Sequence, residues 1–219
     1  MIIKEITLFT NNIQKQRRFY KHVLEFELLL DSVEKISFKA GTSILTFQYK
    51  EDVRPSHVAF NIPCNAINDA LIWLRQRTEV LLNDNGYISD FSNWKAKAIY
   101  FYDADKNIME FISRERIDIE SDVAFTSRSM LSISEMAIAT NNIETIYNTI
   151  NQIKSIPVFY GNFDRFCALG NDEGLFIIIN KNLKKWYPTM EDAYTSDFII
   201  KGDYNFAFEN GKIKELLGF

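Results

Sequence analysis

Two histidines occur among 219 residues, and one of them, His57, opens the segment Ser56-His57-Val58-Ala59-Phe60-Asn61-Ile62. Apolar and polar side chains roughly alternate there, β-branched and aromatic residues dominate, and Pro55 and Pro63 close both ends, which is the pattern of a strand. A histidine at a strand start can point into the concave face of a sheet. There it either packs against a backbone acceptor or offers an imidazole nitrogen to a metal. The same register recurs with acids in its place: Glu5 in Lys4-Glu5-Ile6-Thr7-Leu8-Phe9-Thr10, and Glu135 in Ser134-Glu135-Met136-Ala137-Ile138-Ala139-Thr140. A further carboxylate, Glu110, sits between Met109 and Phe111. A carboxylate facing an interior needs a cation or hydrogen-bond donors. His22 reads as a helix-surface residue.

The elements that must position these groups follow from periodicity and turn signals. Residues 2–10 form a strand, Asn11-Asn12 offers a helix N-cap, and residues 13–24 form a helix with Phe19, Tyr20, Val23 and Leu24 on one face. Strands at 35–40 and 43–49 flank Gly41, with a short extra strand at 27–30. The second unit starts at Ser56. Asn65 caps a helix striped by Ile67, Ala70, Leu71 and Leu74, and strands follow at about 86–89, 97–102 and 108–113. Residues 114–129 read as a polar linker. The third unit copies the opening of the first, with Asn11-Asn12-Ile13 reappearing as Asn141-Asn142-Ile143. It carries a helix at 143–153 and strands at 164–169 and 174–180. A hairpin around Gly202-Asp203 and a short helix at 212–217 end the chain. Repeated units of this kind stack or pair, because none buries its apolar face alone.

Composition removes several function classes. Hydrophobic residues make up 47% and charged residues 25%, an ordinary globular balance. The net charge of −4 disfavours nucleic acid or an anionic membrane as partner. The strongest apolar run, 175–179, is too short to span a bilayer, and Lys4 and Glu5 interrupt any leader-like run at the N-terminus. Two widely separated cysteines, Cys64 and Cys167, argue against a disulfide framework and for a reducing, cytoplasmic setting. There is no glycine-rich phosphate loop, nucleophile-elbow serine or Cys-x-x-Cys pair.

Three stretches together resemble the vicinal oxygen chelate superfamily, which includes glyoxalase I, fosfomycin-resistance enzymes, bleomycin-resistance proteins and extradiol dioxygenases. The first runs from Glu5-Ile-Thr-Leu-Phe-Thr-Asn-Asn-Ile through Phe19-Tyr20 to Leu24-Glu-Phe26. The second is His57-Val-Ala-Phe60. The third is Asp103-Ala-Asp105-Lys-Asn107-Ile-Met-Glu110-Phe111. The resemblance covers residues 2–113 well and 131–180 more weakly. It implies an α+β fold of paired β-α-β-β-β modules whose sheets curl around a cup, with a paired-module domain at 1–115. A third module plus the hairpin at 130–219 would pack on that domain or on a second subunit, and a homodimer is expected. It also implies ligand positions on the first and last strands of each module, which map to Glu5, Thr46, His57 and Glu110.

Thr46 cannot serve as a fourth carboxylate, so the implied divalent site is Glu5, His57 and Glu110. Ile177 stands at the matching ligand position of the third unit and leaves Glu135 without a partner. One imidazole and two carboxylates can hold an ion facially and leave positions open for Lewis-acid chemistry. Such ligands suit Mn or Mg, and Zn, Ni or Fe are compatible. The usual iron oxygenase triad has two histidines, which disfavours ring-cleaving dioxygenase chemistry. Thr46, Gln48, Trp94 and Tyr100 are candidate pocket residues. The expected function is a metal-dependent lyase, isomerase or transferase acting on a small oxygenated substrate. The alternative is a metal-free protein that sequesters a small molecule in the same cup.

Overall fold

The computed structural model describes residues 1–218. The first unit contains β1 (Ile3–Thr10), α1 (Ile13–Arg18), β2 (Leu28–Asp31), β3 (Lys35–Ala40) and β4 (Ser43–Tyr49). Asn12 caps α1 by accepting from the Lys15 backbone N–H, and the helix widens into a π turn over Phe19–Val23. The second unit contains β5 (His57–Ile62), α2 (Ile67–Arg75), β6 (Val80–Leu81), β7 (Ser89–Phe91), β8 (Ala96–Tyr102) and β9 (Ile108–Arg114). The third contains β10 (Ser132–Thr140), α3 (Ile143–Ile153), β11 (Val158–Gly161), β12 (Phe166–Asn171) and β13 (Gly174–Asn180). Strands β14 (Phe198–Gly202), β15 (Phe206–Glu209) and β16 (Lys212–Glu215) complete the chain.

These strands form two mixed sheets. One runs β16-β15-β14-β1-β4-β3-β2, the other β11-β12-β13-β10-β5-β9-β8-β6, with β7 added on β8. The unit pairing therefore differs from a domain closed within residues 1–115. The second unit joins the third, β5 lying antiparallel to β10. The first unit joins the C-terminal strands, β1 lying antiparallel to β14. The division at 115 and 130 cuts across both sheets. The physical reason is edge pairing: β1 and β5 each present a free edge, and each takes the strand whose apolar face continues its own. Both sheets are thus completed within the chain, which removes the unpaired third unit as a reason for a homodimer.

Three local expectations also change. Residues 212–215 extend the hairpin as β16, because Asn210 and Gly211 turn the chain back at positive φ. Asn65 does not cap α2. Its side-chain carbonyl accepts from the Ser121 backbone N–H instead, pinning the crossover segment. Arg114 is not linker but the fully buried end of β9.

Every residue of β5 is buried, so this strand is the centre of the second sheet. The main core lies on the helix side of the sheets. The opposite face of the second sheet is paved with Ala59, Ala98, Ala137, Ala139 and Ala168, all buried. Alternation along each strand places these small residues on the same face as His57 and Glu135. A face of methyl groups leaves space, and that space is the cup.

Candidate functional site

In the second sheet β5 runs parallel to β9, with His57 opposite Ile108 and Ala59 opposite Glu110. Antiparallel β10 sets Glu135 opposite Ala59. The register thus brings His57, Glu110 and Glu135 around one alanine. All three are buried, and each offers one ligand atom within 4.8 Å of the others. His57 Nε2 is 3.2 Å from Glu110 Oε2 and 3.9 Å from Glu135 Oε2. His57 Nδ1 lies 2.9 Å from the Ile108 carbonyl and donates to it, which turns Nε2 toward the carboxylates.

The electrostatics of the cluster are those of a trap for positive charge. Burial alone lowers the His57 pKa, but hydrogen bonds to Glu110 and Glu135 and their charges outweigh it and raise it to about 10. Burial and the neighbouring Glu135 raise the Glu110 carboxyl. The Tyr100 phenol, buried opposite Glu110 on β8, is pushed well above its ordinary range by burial and by the two carboxylates, so it stays a neutral donor. The Arg114 guanidinium pairs with Glu135 Oε1, leaving Oε2 to face the histidine. Arg114 is 0% exposed, and no sequence pattern marked it. Its signal was its place four residues after Glu110, on the same strand face.

Of the groups expected from sequence, His57 and Glu110 converge and Glu5 does not. Glu5 belongs to the first sheet, where it accepts from Thr46 Oγ1 at 3.1 Å and pairs with Lys201 Nζ at 3.2 Å. Thr46 also bonds Ser37 Oγ at 2.8 Å. The register of the first sheet repeats that of the second: Glu5 stands opposite Ile44 as His57 stands opposite Ile108. Its carboxylate meets an ammonium rather than an imidazole and a second acid. Glu135 has Ile177 rather than an acid at the matching position of its own unit, and it joins the cluster through the second unit instead.

A cavity of about 820 Å³ opens above the cluster, lined by His57, Glu110, Glu135, Trp94, Tyr100 and Trp186 among others. Of the candidate pocket residues, Trp94 and Tyr100 line this cavity, whereas Thr46 and Gln48 are on β4 of the other sheet and do not line it. The segment between β13 and β14 straps this cavity. Trp186 lies 5.7 Å from the His57 ring, and Tyr187 meets Tyr100 edge-on at 5.5 Å. Hydrogen bonds from the Tyr102 hydroxyl to Glu191 and between Tyr187 and Ser89 fasten the strap.

An ion with bonds of about 2.1 Å keeps its ligands no more than about 4.2 Å apart. The three groups could hold one after moving inwards by a fraction of an ångström. Nothing else among the described residues groups three such side chains. No helix is long and apolar enough to cross a membrane.

No profile of a known protein family matches this chain. Two curated metallothiol transferases, FosB of Staphylococcus epidermidis and FosB of Staphylococcus haemolyticus, are each 29% identical to it over 115 residues, 49% of this chain and 80% of theirs. A candidate dioxygenase from Bacillus subtilis superposes with a TM-score of 0.58 at 15% identity, over 82% of this chain and 63% of that one. This chain thus spans 63% of the length of that structural neighbour. The likeness of the paired sheets and the shared sequence agree with the strand registers: the chain has a glyoxalase-like α+β fold and is similar to proteins of the vicinal oxygen chelate superfamily.

Proposed function

We propose that His57, Glu110 and Glu135 hold one divalent cation, and that the chain is a metal-dependent lyase, isomerase or transferase acting on a small oxygenated substrate. The observation that carries this reading is the convergence of three buried ligand groups from three strands at the floor of a cavity. Carboxylate-rich ligation favours Mn²⁺ or Mg²⁺ and tolerates Zn²⁺. When bound, such an ion supplies Lewis-acid polarisation of substrate oxygens through its open positions. The residues divide the remaining work. Ile108 fixes the imidazole, Arg114 orients Glu135, and the alanine face leaves room for substrate. Trp186 and Tyr187 cover the cavity and limit water. The staphylococcal relatives are named metallothiol transferases, which keeps transfer chemistry within this reading. The free Cys64 and Cys167 suit a reducing compartment such as the cytoplasm.

One observation favours the metal-free alternative. His57 with Glu110, and Arg114 with Glu135, already satisfy each other as ion pairs. Metal analysis of the purified protein by plasma mass spectrometry separates the readings. About one divalent ion per chain is expected, lost in His57→Ala and in Glu110→Ala. A chain that stays metal-free after dialysis against Mn²⁺, and binds ligands equally well in both variants, is a sequestering protein.

A further inference from the structure

We propose that the cavity above His57 takes a small amphiphilic anion, with a planar unsaturated body lying along Trp94 and Phe166 and a carboxylate or phosphonate group held by Arg165 and Lys184. This deepens the metal-centre reading by naming the substrate class. It rests on that reading only for the end of the ligand that faces His57.

Arg165 and Lys184 both line the cavity. Among the described residues neither has a carboxylate partner; Arg165 is exposed at the cavity rim and Lys184 is half-buried. The two cations also sense one another: burial and the charge of Arg165 lower the pKa of the Lys184 ammonium. Two like charges turned toward one cavity without a counter-ion repel, and a bound oxyanion relieves that repulsion with charge-assisted hydrogen bonds. The nearest wall is aromatic. Lys184 Nζ lies 4.7 Å over the Phe166 ring, and Trp94 sits among Phe166, Phe159 and Tyr160 with centroids 6.2, 5.4 and 5.7 Å away.

The cavity is therefore polarised. Its floor carries Glu110 and Glu135, and its other wall carries Arg165 and Lys184, the latter over the Phe166 ring. Asp90, the remaining acid of the lining, is exposed and bonded by the Ser92 hydroxyl. An inorganic anion alone would leave the ring wall unused, and a neutral aromatic would leave both cations uncompensated. A further donor waits in the same cavity: Trp186, 8% exposed, has an Nε1–H with no acceptor. An oxygen-bearing ligand supplies one. A volume of about 820 Å³ suits a ligand with a ring and two polar ends.

The test uses the full chain after chelator treatment and desalting, titrated with phenylphosphonate, methylphosphonate and benzyl alcohol by calorimetry and tryptophan fluorescence. Phenylphosphonate is expected to bind at least tenfold tighter than either control. The Arg165→Gln/Lys184→Gln double variant is expected to lose at least tenfold of that affinity with its melting temperature unchanged. Equal affinity for benzyl alcohol, an unaffected double variant, or no phenylphosphonate binding at millimolar concentration overturns the anion site. Equal affinity for methylphosphonate overturns the planar body. Mn²⁺ stoichiometry, measured separately on wild type and double variant, reports on the metal centre alone. Its absence alongside selective phenylphosphonate binding would sink the metal reading and leave the anion site standing.

Discussion

Glu135 on β10 and His57 on β5 face one another across a strand boundary, their Oε2 and Nε2 atoms 3.9 Å apart, although they belong to different repeats. Neither repeat has a three-group site of its own. The second offers an imidazole and one carboxylate, and the third offers one carboxylate, with Ile177 at its other ligand position. The site exists because β5 and β10 share a sheet.

That relationship separates two acids that look alike in sequence. Glu135→Gln should lower the affinity for Mn²⁺ at least tenfold, since it removes one of the two charged ligands and leaves the amide a poor substitute. Glu5→Gln should leave Mn²⁺ affinity within about twofold, because Glu5 pairs with Lys201 on the other sheet. Equilibrium dialysis of both variants decides the matter. Loss of metal on changing Glu5 would mean that the ligands come from the first sheet after all.

Metal uptake should depend steeply on pH. His57 holds its proton up to a pKa of about 10 in the metal-free protein, and a ligating imidazole must be neutral. Each ion therefore displaces about one proton, and affinity for Mn²⁺ should rise about tenfold per pH unit between pH 7 and 9. Stability runs the other way in the metal-free chain. The folded pKa lies above the unfolded value, so the His57 contribution is fully present below about pH 6.5 and is lost as pH rises through about 10. Thermal melts of the metal-free protein should fall across pH 8–10. A flat profile in both measurements would show that His57 is not the proton carrier.

Arg114 tests what the guanidinium beside Glu135 contributes. It is wholly buried, pairs with Glu135, and stands 5.9 Å from the Trp94 ring. Replacing it by Met keeps much of the volume but leaves Glu135 with only the His57 imidazole at 3.9 Å, a loss of one partner of a buried pair that costs about 3–5 kcal/mol. Urea unfolding of Arg114→Met should show a loss of that order without metal. Saturating Mn²⁺ should recover part of it, because a divalent ion compensates the same carboxylate and binds only the folded chain. A variant as stable as wild type without metal would mean that Arg114 is dispensable to the floor of the cavity.

The repeat was legible because strand register is written locally. Alternation of side chains put Glu5, His57 and Glu135 at equivalent strand starts, and Thr46, Glu110 and Ile177 at equivalent later positions, and all six keep that correspondence in the sheets. Which repeat pairs with which was not legible, because β1 and β5 have similar free edges and the choice between them is made by packing far along the chain. For that reason the family resemblance and the register carry Glu5 into the ligand set, although its carboxylate lies on the other sheet beside Lys201. Arg114 was missed for a related one. A single arginine at the end of an apolar strand reads as the start of solvent, and only the approach of β10 encloses it. The segment 212–217 is too short for periodicity to separate a helix from the strand β16 that it forms.

The contact that holds the two sheets in this arrangement is itself testable. Gly41 turns β3 into β4 at φ +62, and a Cβ built there would lie 2.1 Å from the Leu131 carbonyl oxygen just before β10. The same carbonyl accepts from the Thr42 backbone N–H at 2.9 Å. Beside it the Ser43 hydroxyl donates to the Ile3 carbonyl at 2.5 Å and accepts from the Ile133 N–H at 3.0 Å, tying β1 to β10. Gly41→Ala meets both a left-handed backbone and a backbone atom that cannot swing aside. The left-handed conformation alone costs about 1–2 kcal/mol, and the clash adds to it by forcing β10 away from the first sheet. Unfolding in urea should show a loss of at least about 2 kcal/mol. Mn²⁺ affinity should fall as well, because Glu135 rides on the strand that is displaced. Unchanged metal binding in a destabilised variant would show that the β5–β10 pairing keeps its geometry without the clasp.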